Sequence, residues 1–402
     1  MSFCKLLGLF KRKAWSKPLI FEENPRTMTF KELIYFTYKY YYAPSIEPSN
    51  HEVRQHFNLK TSKPTDFKTE LSISIGGDLM PYELITKDLT KNLWDEIGED
   101  FFSSDIVFAN LETPLDIQQP ASFVPEVMLN NMLFNANEEM FEIFNGNQKY
   151  KGFDILSLAN NHTLDMGVIG IQNTMDFIQK KNIAYIGTQK NEDDKSWKII
   201  NVKGYKIGFV AFTYSLNQFT VPENEPCIVN LLDLNVEGVD VANIKNEVLA
   251  CKQEGADFII CSLHCGNAYQ AYPSPTAIDL FQRVFNECGV DVIAGGHPHN
   301  PQPSRYYDFI DPYTGEEKRG FAIYSLGDFV AYDIFTWCHL SAYLKINIGK
   351  NHTGKIVFSV KVNHQYMEKS KNGLQFRTII NKLNESVLNK EFLDIKPLFE
   401  VL

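Results

Sequence analysis

Residues 155–167 read ILSLANNHTLDMG. The run 155–159 is short and apolar, as a buried strand is, and at Asn160-Asn161-His162 the chain turns abruptly polar. A helical spacing follows over 170–181, and 184–186 reads as the next strand. The same punctuation recurs on both sides. LSISI (71–75) ends in Gly76-Gly77-Asp78, and IVFA (106–109) ends in Asn110-Leu111-Glu112. FIICSL (258–263) ends in His264. The run 290–294 ends in Gly295-Gly296-His297-Pro298-His299, and 321–326 ends in Gly327-Asp328. Further strands are expected at 206–212, 343–348 and 356–362, and helices at 247–254 and 278–287. Strands alternating with helices predict an α/β fold. Polar residues set just beyond each strand predict a site at the carboxyl ends of the strands, where α/β sheets collect ligands.

Those strand ends carry a donor set suited to a divalent metal. His297 and His299 flank Pro298, two residues apart in an expected extended turn. Gly295 and Gly296 let the backbone turn sharply before them. His264 and Asp78 add a nitrogen and a carboxylate, Glu112 can bridge two ions, and the Asn161 side-chain oxygen can complete a site. His162 is placed to protonate a leaving group, and Asp165 to orient its imidazole. Taken singly, each has a structural reading: Gly-Gly-Asp is a common turn, Asn160-Asn161 can make Asx turns, and Asp165-Met166-Gly167 can start a helix. Their joint occurrence, always after an expected strand, favours a site. Cys261 lies inside an apolar run and reads as core. Cys265 reads as a spectator or an outer neighbour of the site.

Composition bounds the rest. Of 402 residues, 44 % are hydrophobic and 22 % charged, enough for a large core in one domain with extensions or in two medium ones. A net charge of −10 argues against a duplex nucleic-acid partner, which needs a basic face. The seven cysteines are scattered without a CxxC pair and read as reduced, mostly buried thiols. No P-loop is present, so activation of a substrate with ATP by this chain alone is not expected. The organisation expected is an accessory region over 1–68, a main domain over 69–365 and a charged, partly helical tail over 366–402. In the first, the aromatic stretch 30–42 (FKELIYFTYKYYY) forms an amphipathic helix packed on the domain. The opening MSFCKLLGLFKRKAW lacks a secretory pattern. A cytoplasmic protein is expected; residues 6–12 read as a frayed, weakly structured terminus, with peripheral contact at the inner face of the membrane as the alternative.

The motifs resemble those of the bacterial CapA-type capsule synthesis (poly-γ-glutamate biosynthesis) family over about residues 71–330. Gly77-Asp78-Leu79-Met80 is similar to its GDxM segment, and Asn110-Leu111-Glu112 to its NLE. SLANNHTLDMG (157–167) is similar to its most diagnostic stretch. His264-Cys265-Gly266 is similar to its HWG, GHPHNPQ (296–302) to its GHHPH-x-x-Q, and YSLGDF (324–329) to its YSLGNF. The family in turn resembles calcineurin-like metallophosphatases. The resemblance implies a four-layer α-β-β-α sandwich with two mixed β-sheets and one or two divalent ions (Mn, Fe or Zn). It places Asp78, Glu112 and His299 at one ion, and Glu112, Asn161, His264 and His297 at the other, with His162 as general acid. Met80 stands where phosphatases of this fold carry a histidine, which leaves the first ion short of a ligand. Cys265 replaces a tryptophan, Ala268 stands where a glutamate is common, Asp328 replaces an asparagine, and Pro81-Tyr82-Glu83 stands where a basic residue is usual. These departures are expected to alter the substrate pocket more than the metal core.

The implied function is a metal-dependent hydrolase or transferase of capsule synthesis, acting on a phosphoester or on an amide or acyl group of an anionic polymer. The alternatives are a non-catalytic, metal-stabilised partner of polymer synthase and export proteins, docking through the aromatic helix, and a nucleotidase or phosphodiesterase unconnected with capsule.

Overall fold

The computed structural model describes residues 18–19, 21–42, 45–58, 67–125, 132–333, 335–379, 398 and 402. Residues 6–12, read as a frayed terminus with peripheral membrane contact as the alternative, lie outside them. Helices are α1 (Phe30–Tyr42), α2 (His51–Asn58), α3 (Gly98–Phe102), α4 (Glu138–Phe144), α5 (Gly167–Lys180), α6 (Ala242–Gln253) and α7 (Pro275–Arg283). Strands β1 (Leu71–Leu79), β2 (Ile106–Leu111), β3 (Ile155–Ser157) and β4 (Ala184–Ile186) are parallel neighbours. On the other side of β1 lie β12 (Leu340–Lys350), β13 (Ile356–Ser370) and β14 (Gly373–Thr378), each antiparallel to the one before, while the short β11 (Asp328–Val330) runs parallel to β1. The second sheet has the order β5 (Lys198–Val202), β6 (Tyr205–Thr213), β7 (Phe258–His264), β8 (Val292–Gly296), β10 (Glu317–Ile323) and β9 (Ser304–Ile310). Its four central strands are parallel and its two edges antiparallel.

The side-chain alternation of strands divides the second sheet between two cores. Ile207, Phe209 and Ala211 of β6, Phe258 and Ile260 of β7, and Val292 and Ala294 of β8 face the first sheet. Phe108 of β2 meets Phe209 across that interface at a ring distance of 5.7 Å. Val210 and Phe212, Ile259 and Cys261, and Ile293 face the other way, onto α6 and α7 through Ile244, Val248, Leu280 and Phe281. Helices α3, α4 and α5 cover the first sheet with Phe101, Phe141, Phe144 and Ile178. Two mixed sheets between helical layers are thus in place.

Several local expectations change, among them the helix expected at 247–254, which starts at Ala242. The second half of the helix expected at 278–287 is a π turn, Val284–Cys288, closed by Gly289 in the left-handed region at φ 67°. The expected strand at 321–326 starts earlier and leaves the ladder after Ile323. The tail does not begin as a helical segment: β13 runs on to Ser370, and β14 returns beside it with Leu374 and Phe376 fully buried. An alternating edge strand was hidden there by charges on its exposed face. Of the seven cysteines, Cys251, Cys261, Cys265, Cys288 and Cys338 are buried free thiols, and Cys227 is a half-buried one. Among the described residues, no helix is long and apolar enough to cross a membrane.

Candidate metal centre

The carboxyl ends of the two sheets lie side by side at the site, where Asp78 of β1 accepts from the His297 amide after β8 at 2.9 Å, and close backbone packing within each sheet shapes them. A Cβ on Gly77 would stand 2.1 Å from the Gly327 carbonyl oxygen, and one on Gly295 would stand 2.0 Å from that of Tyr324. Both are closer than any side chain tolerates, so glycine alone lets these strands approach. The turn after β8 is not extended as expected: His297 has φ 96° and His299 φ 61°, both in the left-handed region. Holding two non-glycine residues there costs on the order of 1–3 kcal/mol each, strain of a kind that clusters at functional sites.

Around Glu112 the turn assembles two overlapping triads. Glu112, His264 and His297 each offer a ligand atom within 4.8 Å of the others, and so do Glu112, His299 and Asp328. All five side chains are buried. Neither oxygen of Glu112 has a hydrogen-bond partner, nor do His297 Nδ1 and Asp328 Oδ2. Burial, followed by the charges of Asp78 and Asp328, drives the Glu112 carboxyl well above its ordinary range. Burial pushes Asp328 up to about 7 and His264 well below the usual histidine range. Burial would lower His299 too, but Asp328, at 2.9 Å from its Nδ1, raises it to about 9. Buried carboxylates crowded together, with both Glu112 oxygens and Asp328 Oδ2 unpaired, are costly, and a divalent cation between them would lower that cost. The residues present therefore fit such an ion.

The other expected ligands sit beside this cluster. Asn161 Oδ1 lies 2.8 Å from His264 Nε2, the nitrogen that stands 3.4 Å from Glu112 Oε1. Asp78 is fully buried, but both its oxygens accept hydrogen bonds, from Asn110 Nδ2 at 2.8 Å and from the His297 amide at 2.9 Å. In this geometry it braces the histidine turn and lies outside both triads. His162 Nδ1 is 2.6 Å from Asp165 Oδ2, which also accepts from the Phe134 amide at 2.7 Å. The Phe134 ring stacks on the imidazole at 3.8 Å. Cys265 points into the outer core, away from the cluster.

Two residues at the site were not anticipated as ligands or neighbours. Asp328 appeared as a departure that would reshape the pocket; here it joins Glu112 and His299. The signal for it was present, since Leu326-Gly327-Asp328 repeats the strand–glycine–aspartate pattern of Gly76-Gly77-Asp78. Glu23 had no such signal. It comes from the accessory region and is buried against the cluster, with its Oε1 3.1 Å from His297 Nε2. Its Oε2 accepts from the amide of Ala268 at 2.9 Å, so a carboxylate lies beside the position where the resemblance expects a glutamate. Burial would raise Glu23, but the charge and hydrogen bond of His297 hold it below the usual carboxylate range.

A cavity of about 330 Å³ opens over the site. His162, Asn161, His297 and His299 form its polar end, while Met80, Met132, Phe134 and Tyr269 form walls with Met28, Leu33 and Phe36 of the accessory region.

The family described as Bacterial capsule synthesis protein PGA_cap matches residues 72–333, about two thirds of the chain. The capsule biosynthesis protein CapA of Bacillus anthracis is 25 % identical over 71 % of this chain, which spans 65 % of that protein's length. The PGA biosynthesis protein CapA of Bacillus subtilis is 27 % identical over 78 % of each. The crystal structure of the calcineurin-like phosphoesterase YfkN from Bacillus subtilis aligns over 83 % of this chain and 99 % of that one. Its identity is 15 % and its TM-score 0.40, too low to bear on the site.

Proposed function

The chain belongs to the family of bacterial capsule synthesis proteins, and from there we propose that it is a divalent-metal-dependent hydrolase or transferase in the synthesis of a poly-γ-glutamate-type capsule polymer. The observation that carries the chemistry is Glu112, fully buried between two triads with no donor to either oxygen. Glu112, His264 and His297 would hold one ion, and Glu112, His299 and Asp328 a second, with Asn161 beside the first. Such ions supply Lewis-acid polarisation and charge neutralisation at a phosphoryl or carbonyl oxygen.

The protein's own groups do the remaining work. Asp165 accepts from His162 Nδ1, which fixes the ring and leaves Nε2 to deliver a proton to the leaving group. Phe134 stacked on the ring limits its rotation. The apolar walls keep bulk water from the reacting group and strengthen every polar contact inside. The names of the Bacillus relatives support a capsule role, with an anionic polymer or its phosphorylated precursor as substrate.

Turnover on aryl phosphomonoesters, phosphodiesters and γ-glutamyl anilides tests the reading. His162→Asn is expected to keep its metal and lose about 10²–10⁴-fold in kcat. Unchanged kcat in that variant would remove His162 from the chemistry. A second reading, assembly with polymer synthase or export proteins without turnover, is favoured by the exposed apolar side chains of α1: Phe30, Leu33 and Ile34 are 78, 50 and 54 % exposed. Metal-loaded protein inert on every substrate class would select it.

A further inference from the structure

Residues 18–58 reach the metal centre itself, not merely the outside of the domain. The Leu19 amide donates to Gln270 Oε1 at 2.8 Å, Ser45 bridges to Gln270, and Val53 is buried in the outer core. Between these anchors, the Glu23 amide donates to Asn267 Oδ1 at 2.6 Å, and its carboxylate is fixed on three sides. Oε2 accepts from the Ala268 amide at 2.9 Å. Oε1 accepts from the Tyr214 hydroxyl at 3.1 Å and lies 3.1 Å from His297 Nε2.

A carboxylate only accepts, so His297 Nε2 must donate to it. With Nε2 donating, the lone pair that the ring can offer an ion is the one on Nδ1. That atom is buried without a hydrogen-bond partner, and His297 stands in the triad with Glu112 and His264. With Nε2 engaged, Nδ1 is the ligand atom left for an ion. Carboxylate–histidine–metal chains of this kind fix the tautomer and ring plane and raise the basicity of the ligand. We infer that Glu23 is a positioning residue of the metal centre, holding His297 by Nε2 so that Nδ1 faces the ion. The accessory region thereby becomes part of the site. The inference rests on the proposed metal centre.

The test is affinity for Zn²⁺ and for Mn²⁺, measured by competition with a chromogenic chelator on the full chain. The melting temperature of the metal-free protein is recorded beside it. Glu23→Ala is expected to weaken metal binding about 10–100-fold. Glu23→Gln, which keeps one acceptor for His297 but loses the charge, is expected to fall between it and wild type. If Glu23→Ala does not fold, Glu23→Gln decides. Wild-type affinity in the folded variants would overturn the inference, whatever their melting temperatures, by leaving Glu23 a purely structural role. Tighter binding would overturn it too, because Glu23 would then be blocking the ion. Wild-type protein that binds neither metal would refute the metal centre first, an outcome separate from either of these.

Discussion

At the scale of residues, the site depends on space that only glycine provides. A Cβ at Gly296 would lie 2.7 Å from Asp78 Oδ1 and 3.3 Å from His264 Nδ1. Gly296→Ala must therefore displace either the carboxylate that braces the His297 amide or His264, a proposed ligand. Overpacking of this kind costs about 1–3 kcal/mol. We expect denaturant unfolding of the metal-free variant to show that loss and its metal affinity to drop as well; unaltered affinity would mean the turn tolerates the shift. The residue scale is also where sequence and structure part. His264, His297, His299 and Glu112 were legible because each follows a strand, and the first sheet edge meets the second there. Asp328 falls under the same rule but was read as a substitution in the pocket, because it stands where the resemblance expects an asparagine; it opens β11, which returns the chain to the first sheet. Glu23 was not legible: nothing in the stretch around it is periodic, and only tertiary packing carries it to His297.

At the scale of elements, the β13–β14 hairpin extends the first sheet beyond the expected end of the domain. Phe376 is fully buried and meets Trp94 and Phe329 at ring distances of 5.1 and 5.5 Å. Phe376→Ala is expected to cost about 3–5 kcal/mol, read as a lower midpoint of a single unfolding transition. A loss under about 0.5 kcal/mol, the usual range for exposed sites, would show the hairpin to be peripheral. Helix α6 offers a pH test. Its Glu247 accepts from Asn230 Nδ2 at 2.8 Å and from Ser196, its second oxygen has no partner, and burial raises it from 4.5 to about 7. The folded protein thus holds this proton more tightly than the unfolded chain. Stability from it is complete below pH 4.5 and is lost as pH rises through 7. Glu247→Gln, neutral throughout, is expected to flatten the fall in melting temperature between pH 5 and 8. An unaltered slope would place the titration elsewhere. The helices themselves were partly legible: α5 and α6 have apolar periodicity, whereas α3 and α4 are too short to show one, and the π turn after α7 comes from packing.

At the scale of the whole molecule, the proposed ligands of one small centre come from both sheets and their loops. Glu112 and Asp328 belong to the first, and His264, His297 and His299 to the second, with the accessory region closing over them through Glu23. The layered architecture was readable from strand-end punctuation and its order along the chain. The closure was not, because it is a contact between segments more than 200 residues apart, Glu23 and His297. An ion bound here would tie the sheets together and stabilise the fold by mass action, about 2.7 kcal/mol at a hundred times its dissociation constant. The most direct measurement is elemental analysis of the purified wild-type protein beside Glu112→Gln. The account predicts one or two equivalents of Mn, Fe or Zn in the wild type, and their loss in a variant that still folds. Wild-type protein that is folded, metal-free and unable to take up added Mn²⁺, Fe²⁺ or Zn²⁺ would contradict it.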